Sequence, residues 1–281
     1  MLSAITANRY VAAVRRAATD VGQDNLSFIA GGVAFFGFLA IFPALGAAIM
    51  VWGLVAEPGE IETRLASLGD VMPPAAWEVI AGQLESIAGG SSAGLGFGAL
   101  IALVVAFWSA AKGARALIAA MHFSYGERDR RSFLKSNLVA LLFTIGGILY
   151  AVTTLILVGA IPAILAAVSL GTLAEAGVEA ARWLIAVALF ALALSALYRW
   201  APDRKRKPGW KMLAPGAVAA TLLWILASFG FSIYTSNFAD YNATFGALGS
   251  VAVLMLWMWI SAFTVCFGAV LNAELEPGGR S

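Results

Sequence analysis

Charge is the scarcest property of this chain. Asp, Glu, Lys and Arg make up 12% of its 281 residues and hydrophobic residues 61%, where a soluble domain carries about 25% charge. A surface so poor in charge does not stay dissolved, so a soluble globular enzyme is excluded and an integral membrane protein is expected. Disorder is excluded by the same apolar content. Cysteine occurs once, at Cys266 inside an apolar run, which rules out an intrachain disulfide. Histidine also occurs once, at His122. No HxxxH pair, Cys–His pair or Ser–His–Asp set can be built from a single histidine, and metal-assisted hydrolysis needs several ligands converging on one ion. There is no GxxxxGK[ST] run, so the chain encodes no phosphate-binding loop for ATP. From these absences no catalytic residue, no metal, no cofactor and no nucleic-acid partner is expected.

What is present is a series of long uncharged stretches. Residues 25–56, 86–111, 136–174, 183–198, 212–239 and 241–273 contain no charged side chain. They are continuous and rich in Leu and Ala, without the alternation of a membrane β-barrel. About 20 apolar residues cross a bilayer as a helix. The shortest stretch still spans if Arg182 and Arg199 snorkel from its ends. The expected fold is all-α and polytopic, with six transmembrane helices near 29–54, 94–118, 137–163, 181–200, 213–235 and 247–270.

The basic residues orient these spans. Segments 1–27, 112–135 and 199–211, with Arg280, hold all the Lys and Arg except Arg64 and Arg182. An even number of spans with cytoplasmic termini puts every one of those segments inside, as the positive-inside rule requires. The expected location is the bacterial inner membrane. The division expected is a basic helix at 1–27, a membrane domain at 28–276 and a short tail at 277–281. Segment 1–27 does not read as a cleaved signal, because the apolar run after it is too long. Val11, Val14, Ala18 and Val21 recur at helical spacing beside Arg9, Arg15 and Arg16, which suits either an interfacial helix or a solvated arm. At 57–92, six acids face a single Arg64, and Trp77, Ile80, Leu84 and Ile87 share a helix face, so an outer helical hairpin is expected there.

Candidate binding residues follow from charge near the apolar runs. Lys112 and Arg115 stand at i, i+3 in the second span, with Trp108 one turn earlier. Ionisable groups at such depth face a cavity or a partner, or else snorkel to phospholipid. Two cations on one face suit an anionic ligand. Pro43, inside the first span and preceded by Gly31, Gly32 and Gly37, is a candidate helix break, either lining a cavity or serving as a packing kink. Asp240, in the polar stretch 237–244, and the pair Arg199 and Asp203 complete the candidates. The acids of 57–92 are either a cation site or a solvated acidic face. The glycines at 94, 96 and 98 read as close helix packing.

Several segments together resemble one family. They are Ala-Gly-Gly-Val-Ala-Phe-Phe-Gly-Phe-Leu-Ala-Ile-Phe-Pro at 30–43, Leu-Tyr-Arg-Trp-Ala-Pro-Asp at 197–203, Pro-Gly-Ala at 215–217 followed by Trp224, Phe-Gly-Ala-Leu-Gly-Ser-Val-Ala-Val-Leu-Met-Leu-Trp-Met-Trp at 245–259, and Gly-Ala-Val-Leu-Asn-Ala-Glu-Leu at 268–275. Over roughly residues 20–276 the chain resembles the YihY/BrkB family of bacterial inner-membrane proteins. The resemblance implies six spans and a membrane location. Some relatives carry virulence-factor or ribonuclease BN labels, and the lone histidine gives the latter no chemical support. Where the family often has Tyr this chain has Phe36 and Phe245, where it has Ser there is Ala40, and where it has an acid there is Val270. The matching segments keep Tyr198, Arg199, Asp203, Asn272 and Glu274 as polar residues.

The function these features favour is transport or export of an anionic or amphipathic small molecule, or a lipid, by a mechanism that does not use ATP. The alternative is an envelope protein that does not transport and binds lipid or membrane partners. Membrane lipids are expected partners under either reading, and self-association into a homo-oligomer stays open.

Overall fold

The computed structural model describes residues 11–19, 26–55, 92–161, 172–204, 207–236 and 247–276. Among them every regular element is helical. A short helix α1 occupies 11–19. It is followed by α2 (Leu26–Val55), α3 (Ser92–Ser124), α4 (Phe133–Leu155) with a π-helical turn at Ile156–Ala160, α5 (Thr172–Trp200), α6 (Trp210–Ser236) and α7 (Ala247–Leu275). The stretches Leu103–Ser124, Phe133–Val158, Ala174–Trp200, Trp210–Thr235 and Val251–Leu275 are each long and apolar enough to cross a bilayer. The chain is a polytopic all-α membrane protein. Its outward faces carry large apolar side chains such as Leu134, Leu184, Leu226 and Phe229, all exposed, as hydrocarbon contact requires.

Several boundaries extend past the uncharged runs. Helix α5 begins at Thr172 and passes through Glu175 and Glu179, because helical hydrogen bonding does not stop where hydrophobicity does. Helix α3 ends at Ser124, where Gly126 at φ 67° closes it. The Glu127 N–H donates to the His122 carbonyl at 2.8 Å and the Gly126 N–H to that of Phe123 at 3.0 Å. This is the paired Schellman closure, and it needs a residue free to adopt positive φ. Helix α2 is continuous past Pro43, whose side chain lies outside the described residues. Pro215 also sits within a helix, α6, instead of ending one. The hairpin expected at 57–92, apart from Ser92, lies outside the described residues, as do 237–244 with Asp240, Glu57–Asp70 and the tail 277–281.

The chain forms two compact units. The first contains residues up to Gly31, Ala114–Ala227 and Ile260–Ser281. Its interior holds Met121, Tyr198, Leu213, Cys266, Val270 and Asn272, all fully buried. Two glycines set the α6–α7 crossing. A Cβ on Gly216 would strike the Gly268 carbonyl and the Asn272 amide, and one on Gly268 would lie 2.5 Å from the Tyr198 hydroxyl. Small residues allow this backbone approach, which lipid by itself does not drive. An aromatic row, Tyr150, Phe190 and Trp224, ties α4, α5 and α6, and the Trp224 indole donates to Ser261 of α7 at 2.9 Å.

The second unit contains Gly32–Gly113 and Ser228–Trp259. Here a Cβ on Gly37 of α2 would meet Met258 of α7, and one on Gly113 of α3 would touch the α2 backbone at Phe36 and Gly37. Gly37 thus serves close packing in this unit, while Gly32 faces open space.

Candidate functional site

Two cations stand on one exposed face of α3, and their environments differ. Lys112 is exposed, and its ammonium lies 5.1 Å from the centre of the Trp108 ring. Trp108 is one turn nearer the start of α3, so the ammonium is turned away from the His122 end of the helix. Lys112 makes no ion pair among the described residues. Arg115 instead donates to the Asn137 side chain of α4 at 2.7 Å, a neutral partner that fixes its direction.

Ten residues beyond Lys112, His122 begins a polar cluster. Its Nδ1 donates to the Ile118 carbonyl at 2.9 Å, and its Nε2 accepts the Asp203 backbone N–H at 3.0 Å. Both ring nitrogens are therefore engaged, with the proton on Nδ1. Arg131 closes the end of α5, donating to the carbonyls of Trp200, Ala201 and Pro202 at 3.0–3.1 Å. Its Nε lies 3.4 Å from the Asp203 carboxylate, which also accepts the Arg130 N–H at 3.0 Å. Asp129 accepts from the Arg131 N–H and the Ser136 hydroxyl. Asp203 is thus committed to holding the α3–α4 and α5–α6 connections together.

Arg199 is likewise engaged. It donates to the Pro208 carbonyl and lies over the Trp210 ring, which meets Trp200 edge-on at 5.5 Å. Arg204 stacks 3.7 Å from the Tyr125 ring and pairs with Glu276 at 2.7 Å. Burial pushes the Tyr125 hydroxyl above its ordinary range, and the Arg204 charge opposes that only in part. Arg16 of α1 donates to Glu274 of α7 at 2.6 Å. Ala13 and Ala17 pack inward beside it, while Val11 and Val14 stay exposed.

At the opposite end of α5, Glu179 accepts from Arg182 at 2.5 Å and from the Trp183 indole at 2.8 Å. Arg182 also reaches the Val158 carbonyl at 3.4 Å, in the π-helical turn. Trp183 and Trp200 are half-exposed and about 26 Å apart along α5 at 1.5 Å per residue. That matches aromatic residues at the two edges of a hydrocarbon layer about 30 Å thick.

The sequence profile of the family described as Virulence factor BrkB matches residues 17–280. The chain belongs to the YihY/BrkB family. Among its curated relatives, the putative ribonuclease-like protein YfkH of Bacillus subtilis is 30% identical, over 87% of this chain and 88% of its own length. A UPF0761 membrane protein of Pseudoalteromonas translucida is 26% identical, over 91% of this chain and 83% of its own. One from Photobacterium profundum is 28% identical, over 91% and 78% respectively. No solved structure matches the chain.

The resembling segments at 197–203, 215–217 and 268–275 serve packing in the first unit. Tyr198 donates to the Val265 carbonyl at 2.7 Å. Asn272 accepts the Gly216 N–H at 2.8 Å and donates to the Leu213 carbonyl at 3.0 Å, bracketing Pro215. A lone amide in an apolar run is a sequence signal for such a contact, since it must be satisfied when buried. No comparable signal marks Arg131 among its basic neighbours, or pairs Asn137 with Arg115.

Proposed function

We propose that this YihY/BrkB protein is a bacterial inner-membrane transporter or exporter of an anionic or amphipathic small molecule, a lipid included, working without ATP. The observation that carries the reading is Lys112. It lies about 15 Å before His122 along α3 at 1.5 Å per residue. His122 in turn bonds the backbone just past Trp200. In a hydrocarbon layer of about 30 Å that depth is near the middle. A cation there costs about 2.5–3.5 kcal/mol on insertion scales, and such residues mark substrate or ion paths. Its ammonium lies over Trp108, away from the His122 end of α3. The six-span arrangement with cytoplasmic termini belongs to the same proposal and rests on the distribution of basic residues.

Ribonuclease chemistry is not part of this reading. The only histidine has both nitrogens held by backbone groups, and general acid–base work needs a free one. The second reading is an envelope protein that binds lipid or membrane partners without transport. It is favoured by Asp203, whose carboxylate is held by Arg131 and the Arg130 N–H, and by Arg115, which donates to Asn137.

The deciding experiment reconstitutes the protein in liposomes and measures flux of labelled anions and lipids, with Lys112→Gln beside wild type. Loss of flux at unchanged thermal stability is expected. Flux that survives the substitution refutes the role of Lys112, and no flux for any probe favours the second reading. Topology is tested separately: a reporter after Lys207 is expected in the cytoplasm and one at Ser91 outside, and cytoplasmic activity at Ser91 overturns the six-span arrangement.

A further inference from the structure

We propose that Trp200, Trp210, Arg199, Lys207 and Lys211 form a seat for the headgroup of an anionic phospholipid, at the membrane edge where α5 ends and α6 begins. The inference is independent of transport and does not involve Lys112.

The connection between the two helices brings these groups together. Arg199 holds the Pro208 carbonyl, next in sequence to Lys207, and its guanidinium lies 5.1 Å from the Trp210 ring, next in sequence to Lys211. Trp200 and Trp210 meet edge-on, and both rings stay nearly half exposed. Tryptophans kept open in this way at the ends of membrane helices are amphipathic groups suited to the headgroup layer.

The charge here is uncompensated. Asp203 is the one acid between 199 and 211, and its carboxylate is occupied by Arg131 and the Arg130 N–H. The first turn of α6 has no acid. Arg199, Lys207 and Lys211 form no ion pair among the described residues, and both lysines are exposed.

An apolar track selects a lipid over a free anion. Below Lys211, the exposed residues Ala214, Val218, Leu222 and Ile225 follow at spacings of three and four along α6, one continuous stripe. Cations at the top of an apolar stripe match a phosphate with acyl chains running down the helix. Free phosphate would use only the upper part. Each basic residue near such a surface strengthens binding of an anionic lipid about fivefold.

The test places the full chain in phosphatidylcholine nanodiscs and titrates in acyl-brominated phosphatidylglycerol, reading tryptophan quenching. Wild type is expected to quench at a far lower lipid fraction than Lys207→Gln/Lys211→Gln, by about 30-fold, which is about 2 kcal/mol at 1.4 kcal/mol per decade. The Arg-for-Lys double variant should keep the preference, and Trp210→Phe should lose the extra quenched component. Equal quenching by brominated phosphatidylcholine, or an unchanged response in the Gln double variant, overturns the proposal. So does full competition by inorganic phosphate or glycerol phosphate at constant ionic strength, which would make this a free-anion site. Burial of Cys266, followed by its thiol reactivity, verifies that each variant is folded.

Discussion

Replacing Asn272 by alanine tests the central packing argument. The amide is fully buried in the first unit. It accepts the Gly216 N–H and donates to the Leu213 carbonyl, on either side of Pro215. Alanine removes both of these buried side-chain bonds and leaves the two groups only what the helix itself offers. Each such group costs about 1–3 kcal/mol, and measured polar contacts inside membrane bundles fall toward the lower value. A total of about 2–4 kcal/mol follows, which at about 2–4 °C per kcal/mol for a domain of this size lowers Tm by roughly 4–16 °C. The protein carries its own reporter, since Cys266 is the only cysteine and is fully buried. A thiol-reactive fluorophore therefore stays dark until the bundle opens. Asn272→Asp is the informative companion. Its carboxylate still accepts from Gly216 but opposes the Leu213 carbonyl, and only the protonated form can donate to it. Because the folded state then favours the protonated acid, stability of that variant should rise as pH falls through the carboxyl range, while the alanine variant shows no such gain. An Asn272→Ala protein melting within about 1 °C of wild type would refute the reasoning.

Arg131→Ala should lower stability by about 2–4 kcal/mol in the same dye assay, because it frees three carbonyls at the end of α5 and leaves Asp203 without its guanidinium. Arg131→Lys should recover little of that loss, since an ammonium cannot reproduce the planar fork of donors; full rescue would contradict the assignment. Arg16→Ala leaves the buried Glu274 without its partner, at a cost held to about 1–2 kcal/mol because Arg16 is itself half exposed. Limited proteolysis should then cut within 11–19 faster than in wild type, and an unchanged rate would show that Ala13 and Ala17 hold α1 by themselves.

The membrane class, the helical character and most spans could be read from charge-free runs, because hydrocarbon tolerates few side-chain types and forces every backbone group into local hydrogen bonds. Lys112 could also be singled out from the sequence, since a charge inside an apolar run stands out whatever surrounds it. The roles of Arg199 and Asp203 could not be, because a charged residue beside a loop looks the same in sequence whether it meets a ligand, a carbonyl or a lipid. Only the tertiary structure paired Arg131 with the end of α5, Arg182 with the Val158 carbonyl and Arg115 with Asn137. Those partners lie between 22 and 70 residues apart in sequence, and no local propensity encodes such a contact. Pro215 makes the same point. A proline removes a helical N–H, yet α6 continues through it, and Asn272, 56 residues beyond Gly216, bonds the backbone on both sides. Composition set the solvent and the helices, because both depend on what each residue is. Which polar atoms are spent on the fold depends on where distant residues meet, and the folded bundle alone decides that.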